Sequence, residues 1–233
     1  MNTCLLCNCR ISPKLAQVPW PIEWHFLWLR VCPDCIDGLP YSWGPRVASS
    51  PGSKALLQAW DTDPRVCRPS TALVYVDVGR PVVRNVKFQR KRGYKNLWAW
   101  LFLLALEESS RLWPRVEGEM LIVPMASSAF GLWYRGWDPV WEASGVLGTL
   151  VGCPRTRLIA KNRGGSQKSR SREERVDHGQ DFTLLPRKEI SGNIQEILLI
   201  DDVITTGSTL DQGVRLLRTK FDGIIRPLGL VQD

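Results

Sequence analysis

The hydrophobic positions of this chain change their spacing near Thr71. Downstream, short β-branched and aliphatic runs alternate with longer segments whose apolar residues recur at helical spacing, the pattern of a parallel sheet flanked by helices. It predicts strands over 72–78, 120–123, 157–160, 197–200 and 224–231, and helices over 96–113, 138–150 and 206–220. Asp138 followed by Pro139 supplies a capping side chain and a first-turn proline for the second helix. The polar span 162–179 has neither period and carries Gly164 and Gly165, which predicts a long surface loop. Upstream, residues 1–45 have little period of either kind and are rich in Cys, Trp and Pro, so they form a small module that cannot hold together on an apolar core alone. Residues 46–70, which begin with a Pro, Gly and Ser-containing stretch, read as a linker or joint, leaving 71–233 as the α/β domain.

With 233 residues, 44% hydrophobic and 23% charged, the composition is that of a soluble globular protein of one or two domains and excludes disorder, collagen and coiled coil. The longest apolar run, 97–106, is about half the length a membrane-spanning helix requires, and residues 1–9 lack the basic start and apolar stretch of a secretion signal. The expected location is the cytoplasm. The net charge of +8 is concentrated: residues 80–95 hold seven basic and no acidic residues, and 155–175 hold eight basic and two acidic, leaving the remainder slightly acidic. Two such segments suggest a polyanionic ligand, against the plainer reading of two solvated loops. Lys87, Arg90, Lys91 and Arg92 in the first, and Lys168, Arg170, Arg172 and Arg175 in the second, are the candidate nucleic-acid contacts. The 11 Trp residues offer stacking surfaces for unpaired bases, but most are expected in the core. Trp98, Trp100 and Trp113 fall on an apolar helix, and Trp20, Trp24, Trp28 and Trp43 are expected to pack around the amino-terminal cysteines.

Cys4, Cys7, Cys32 and Cys35 form two CxxC pairs, each able to place two thiolates on one ion through a tight turn. Four thiolates complete a closed tetrahedral site, which favours structural zinc over catalytic zinc; an iron–sulfur cluster is the alternative. Cys9 either replaces Cys7 as a ligand or stays free. Cys67 and Cys153 are isolated and read as small buried apolar residues, and neither His25 nor His178 has a motif around it.

The most informative stretch runs from Ile197 through Asp201, Asp202, Val203, Thr205, Thr206, Gly207, Ser208 and Thr209: a buried strand, an acidic pair, a small polar loop and an amphipathic helix. Chemistry on open α/β sheets takes place at that end of the strands. The loop 205–209 can present backbone N–H groups and hydroxyls to a phosphate, with Gly207 allowing close approach. The carboxylates would repel a phosphate, so their task is to accept hydrogen bonds from sugar hydroxyls or to approach a divalent ion. Phosphate plus diol describes a ribose 5-phosphate. A nucleotide triphosphatase would need a P-loop, and its nearest candidate, Gly164 to Ser169, has Gln167 where glycine is required. A strand, turn and capped helix without ligand is the plainest alternative.

These residues resemble the signature by which type I phosphoribosyltransferases bind phosphoribosyl pyrophosphate (PRPP). Together with the leading CxxC pairs they resemble the ComF (ComF/GntX) family, an amino-terminal zinc finger fused to a phosphoribosyltransferase-like domain. The resemblance covers nearly the whole chain. Val86-Lys87-Phe88 with Gly93 resembles the family's basic segment, Val123-Pro124 its strand end and Arg135-Gly136 its Arg-Gly pair, while Gln167, Glu174 and Arg175 match positions in its basic loop. The chain departs from the pattern at Trp137-Asp138, where the family has an aromatic residue and Asn, and at Asp177, where it has Asn.

The resemblance implies roles. Asp201 and Asp202, the candidate catalytic pair, would hold the ribose 2- and 3-hydroxyls, and Val203 with Thr205, Thr206, Gly207, Ser208 and Thr209 would surround the 5-phosphate. Pro124, Met125 and the turn to Ser128 would face pyrophosphate bridged by Mg2+, with Arg135, Lys161 and Arg163 as charge partners and the basic loop as a lid. It further implies late competence and natural transformation, handling of incoming single-stranded DNA, and partnership with the competence helicase ComFA and the mediator DprA. The alternative is an active phosphoribosyltransferase acting on an unidentified acceptor.

Overall fold

The computed structural model describes residues 3–7, 9–10, 30–39, 62–74, 82–83, 93–112, 117–162, 181–186, 190 and 192–232. Four strands, β1 (Ser70–Val74), β2 (Glu119–Pro124), β5 (Ile194–Ile204) and β6 (Ile224–Gln232), form one sheet in the order β1-β6-β5-β2. Every pairing in it is parallel, as the alternating pattern predicts. Between these strands lie helices α2 (Tyr94–Leu112), α3 (Ala129–Arg135), α4 (Pro139–Val151) and α5 (Ser208–Arg218). A short helix, α1 (Pro33–Asp37), belongs to the cysteine module.

The sheet is covered on both faces, and its central strands are accordingly apolar without interruption. Along β5, Leu198 and Ile200 point into a core shared with α2 and α4, while Ile197 and Leu199 point into a second core with Leu210, Val214 and Leu217 of α5. On α2 the buried positions Tyr94, Leu97, Trp98, Leu101, Phe102 and Ala105 recur at helical spacing, and the Trp98 indole N–H donates to the Val82 carbonyl at 3.3 Å. Trp98 is therefore core, as expected for an apolar helix. Beneath α2 lies an ion pair with both members wholly buried: Arg226 of β6 donates to Glu196 of β5 at 2.5 Å and to the Ser109 hydroxyl of α2 at 2.8 Å.

The strand expected over 157–160 does not join the sheet. Ile159–Lys161 (β3) pairs antiparallel with Phe182–Leu184 (β4), a three-residue strand too short to leave a periodic signal. The segment before β3 hydrogen-bonds to the sheet edge, where Ile122 donates to the Pro154 carbonyl and accepts from Thr156 N–H, and Ile159 and Phe182 pack into the core that β2 and β5 share with α5. Helix α3 was equally absent from the pattern, because several of its apolar residues face outward. The expected positions 75–78 and 113 lie outside the described residues. At the other end of the sheet, Val66 bridges Ile225, and Asp63 receives hydrogen bonds from Arg65 and an ion pair from Arg218 at 2.9 Å. No described helix is long and apolar enough to cross a membrane.

Candidate functional site

The sheet itself opens a crevice at the carboxyl ends of its strands. β2 and β5 pair as far as Pro124 opposite Ile200, and Met125 N–H donates to the Ile200 carbonyl at 2.8 Å. There β2 turns away while β5 continues, still paired with β6, with Asp201 opposite Gly229 and Val203 opposite Val231. The acidic pair thus lies within a regular strand whose β2 side is vacated, which corrects the expectation that the strand ends at Ile200. A cavity of about 320 Å³ fills the opening, lined by Met125 to Ser128, Arg135, Val140, Lys161, Phe182, Asp201 to Val203 and Thr209. That volume falls at the lower end of the range of small-molecule sites.

Each wall has a local cause. Ser128 caps α3 by accepting from Gly131 N–H at 3.0 Å, and Arg135 returns from the last turn of that helix to the crevice. A Cβ on Gly131 would stand 2.9 Å from the Arg135 guanidinium, so the missing side chain makes room for the arginine to fold back along the helix. Arg135 Nε is buried with no hydrogen-bond partner among the described residues, as fits a group that an anion would engage. Asp138 caps α4 by accepting from Trp141 N–H, accepts from the Ser127 hydroxyl at 3.0 Å and pairs with Arg157 at 3.4 Å. This carboxylate braces the wall. Lys161 on β3 lies over the Phe182 ring at 5.1 Å.

Next to the crevice, Gly207 adopts φ 75° at the start of α5, a left-handed conformation that suits glycine. The Thr206 hydroxyl donates to the Ser208 hydroxyl at 3.1 Å, and Thr205, Thr206 and Ser208 are exposed. Asp201 is half-buried and accepts from Asp202 N–H at 2.9 Å, which orders the acidic pair.

The geometry brings Asp201, Asp202, Val203, Thr209, Met125, Arg135 and Lys161 around one cavity. Thr205, Thr206, Gly207 and Ser208 form the adjoining turn outside its lining, and Pro124 is buried at the end of β2, held by its pairing opposite Ile200. Arg163, Lys87, Arg90, Lys91, Arg92, Lys168, Arg170, Arg172 and Arg175 lie outside the described residues, as does the expected lid. Of that span only Asn162 is described, and its N–H donates to the Asp181 carbonyl at 2.8 Å, beside Lys161 and Phe182 at the crevice. The sequence reading missed Phe182 and Val140; one sits in the short β4, the other inside an apolar helix, and neither carries a motif.

The cysteine module gathers the sulfurs of Cys4, Cys7, Cys32 and Cys35 within 4.8 Å of one another. Cys7 and Cys32 Sγ are 3.7 Å apart, close to the ~3.8 Å edge of a tetrahedron with ~2.3 Å zinc–sulfur bonds. Cys32 stands before α1 with Pro33 in its first turn, and Cys32 N–H donates to Cys4 Sγ at 3.3 Å. Hydrogen bonds from Cys9 draw the Cys7 thiol down to about 6, while burial raises Cys32 and Cys35. One thiolate is thus readily formed, and gathering four calls for a cation; the donor set fits a tetrahedral metal ion. Cys9 stands outside the group of four. The module packs on α2, with the Tyr94 hydroxyl donating to the Leu5 carbonyl at 2.7 Å and Cys4, Leu5, Val31 and Cys32 joining the α2 core. Of the isolated cysteines, Cys67 is buried, its thiol pushed up to about 11 by desolvation, whereas Cys153 is half-exposed.

No family model matches the chain. It is similar to Competence protein F of Haemophilus influenzae, with 26% identity over 146 residues. The match covers 62% of this chain and 63% of that protein, less than two thirds of the relative's length. Among solved structures, it is similar to the allosteric regulatory enzyme of purine biosynthesis at 20% identity and a TM-score of 0.35, covering 57% of this chain and 24% of that one. A hypoxanthine phosphoribosyltransferase from Staphylococcus aureus gives 12% and 0.33, covering 60% and 62%. An adenine phosphoribosyltransferase from Thermoanaerobacter pseudethanolicus gives 11% and 0.32, covering 66% and 84%.

Proposed function

We propose that this is a ComF-like competence protein that handles incoming single-stranded DNA in the cytoplasm during natural transformation, using a PRPP-type site. The observation that carries the site is the crevice beside β5, where Asp201 and Asp202 line one cavity of small-molecule size together with Arg135 and Lys161. Asp201 and Asp202 accept hydrogen bonds from the ribose 2- and 3-hydroxyls. The hydroxyls and N–H groups of 205–209 receive the 5-phosphate, and Met125 to Ser128 with Arg135 and Lys161 face the pyrophosphate. Carboxylates beside a polyphosphate are also the donor set that Mg2+ takes, and bound there it would neutralise phosphate charge. Zinc in the four-cysteine group has a structural task, fixing residues that pack on α2. The basic segments supply phosphate contacts to the DNA, and ComFA and DprA are the proposed partners, tested by co-purification.

Calorimetric titration of PRPP with Mg2+ tests the site. Binding by the wild type that is lost in Asp201→Asn/Asp202→Asn supports it, and no heat with the wild type removes it. Repeating the titration with single-stranded DNA bound tells whether the ligands compete.

The second reading, an active phosphoribosyltransferase, is favoured by the position of the carboxylates in the cavity lining, where the sugar would sit. There they would stabilise an oxocarbenium-like centre as pyrophosphate departs. Pyrophosphate release dependent on an added acceptor would establish it.

A further inference from the structure

On α3 three aromatic side chains face away from the core: Phe130 is 74% exposed, Trp133 79% and Tyr134 39%. They cluster with one another, Phe130 and Tyr134 nearly parallel with ring centroids 6.4 Å apart and Phe130 and Trp133 at 6.2 Å. Exposing contiguous aromatic surface is costly in a monomer and marks a binding face. Helix α3 is also a wall of the crevice, since its cap Ser128 and its last residue Arg135 both line the cavity. It carries no acidic residue.

We propose that this face is a stacking platform for the unpaired bases of single-stranded nucleic acid, placed so that a strand resting on it runs past the sugar-phosphate crevice. The proposal rests on the reading of the chain as a handler of single strands and adds where the bases go. Ring faces accept any base, and such stacking gives affinity without sequence preference. The size argues for bases over a folded partner: α3 is only ~10 Å long, and three partly exposed rings offer a few hundred Å², well below the ~800 Å² per partner of a stable protein interface. Two cationic side chains, Arg135 and Lys161, line the cavity that α3 walls, within the reach of a strand with stacked bases and an anionic backbone.

The test compares a labelled oligothymidylate of about 20 nucleotides with an abasic oligonucleotide of equal length and charge, by fluorescence anisotropy. The wild type should bind the thymidylate roughly tenfold or more tightly, by the usual worth of one or two stacked bases. Phe130→Ala/Trp133→Ala should lose that preference while keeping its melting temperature and the salt-dependent affinity for the abasic strand, and Trp133→Phe should retain most of the preference. Equal affinity of the wild type for both strands overturns the platform and leaves the handling of single strands standing. A preference that persists in the double variant overturns the placement on α3. No binding of either strand defeats the functional reading and the platform with it. Loss in the double variant of binding to vesicles of anionic lipid, with the strand preference unchanged, assigns the face to a membrane surface and overturns the proposal.

Discussion

The Ser127 hydroxyl donates to Asp138 at 3.0 Å, joining the loop beside the crevice to the residue that caps α4. Asp138 is 7% exposed and also pairs with Arg157, so one carboxylate serves a cap, a hydroxyl and an ion pair. Asp138→Ala should cost about 1–3 kcal/mol in urea unfolding, by loss of the cap and of the partner to Ser127. Asp138→Asn keeps an equally good cap and gives up only the bond to a partly exposed arginine, so its cost should stay below about 1 kcal/mol.

Gly131→Ala separates stability from binding. The new methyl meets a flexible guanidinium end and the Ser128 hydroxyl, while alanine favours the helix by up to about 1 kcal/mol. Strain on the Ser128 cap offsets that gain, so the melting temperature should change little while Arg135 is displaced. Titration with PRPP and Mg2+ should then show a weakening comparable to that of Arg135→Ala.

The Glu196 and Arg226 pair should respond asymmetrically to substitution. Removing one member strands a buried charge, and Glu196→Ala or Arg226→Ala alone should lose about 3–5 kcal/mol in denaturant unfolding. The double replacement Glu196→Met/Arg226→Met should recover most of it. Equal losses in single and double variants would contradict a stranded charge as the cause.

Chelation should act on the cysteine module. If the four sulfurs hold a metal ion, removing it leaves four neighbouring thiols with nothing to tie them together and loosens the cover that Leu5 and Val31 give α2. Four additional thiols should become reactive toward a thiol reagent, and metal analysis of the released ion separates zinc from iron.

Asp63 ties the segment ahead of β1 to α5, and its hydrogen bond from Arg65 holds its carboxyl below the usual range. A depressed folded pKa contributes stability above the unfolded value of about 3.9 and loses it as pH falls through the folded value. Asp63→Asn should therefore be less stable than the wild type at pH 7. Melting curves taken at successively lower pH should show the gap shrinking below about pH 4 and closing once Asp63 is protonated in both states.

What the sequence made legible followed from strong local signals. Five apolar runs located five of the six strands, Asp138-Pro139 located a helix start, and the cysteine spacing located a sulfur cluster that the fold then closes. The acidic pair and its polar loop stood out in the sequence because two adjacent carboxylates and a run of hydroxyls interrupt an apolar strand and precede a helix. Phe182 was not, because β4 has three residues and owes its place to pairing with β3. Helix α3 was hidden for the opposite reason: its outward aromatic residues break the one-sided pattern by which a helix is recognised.

The outlasting of β2 by β5 has a consequence for how this protein can change. The positions of Asp201 and Asp202 are dictated by backbone pairing with β6 and by the register that β5 keeps with β2 up to Ile200. Deleting one residue from the apolar half of β5 would turn both carboxylates to opposite faces and invert the two cores together. Changes in α3, in the turn after β2 or in the β3–β4 ribbon leave that frame untouched. The sheet acts as a fixed ruler for the acidic pair, and its surroundings are free to be retuned to another ligand.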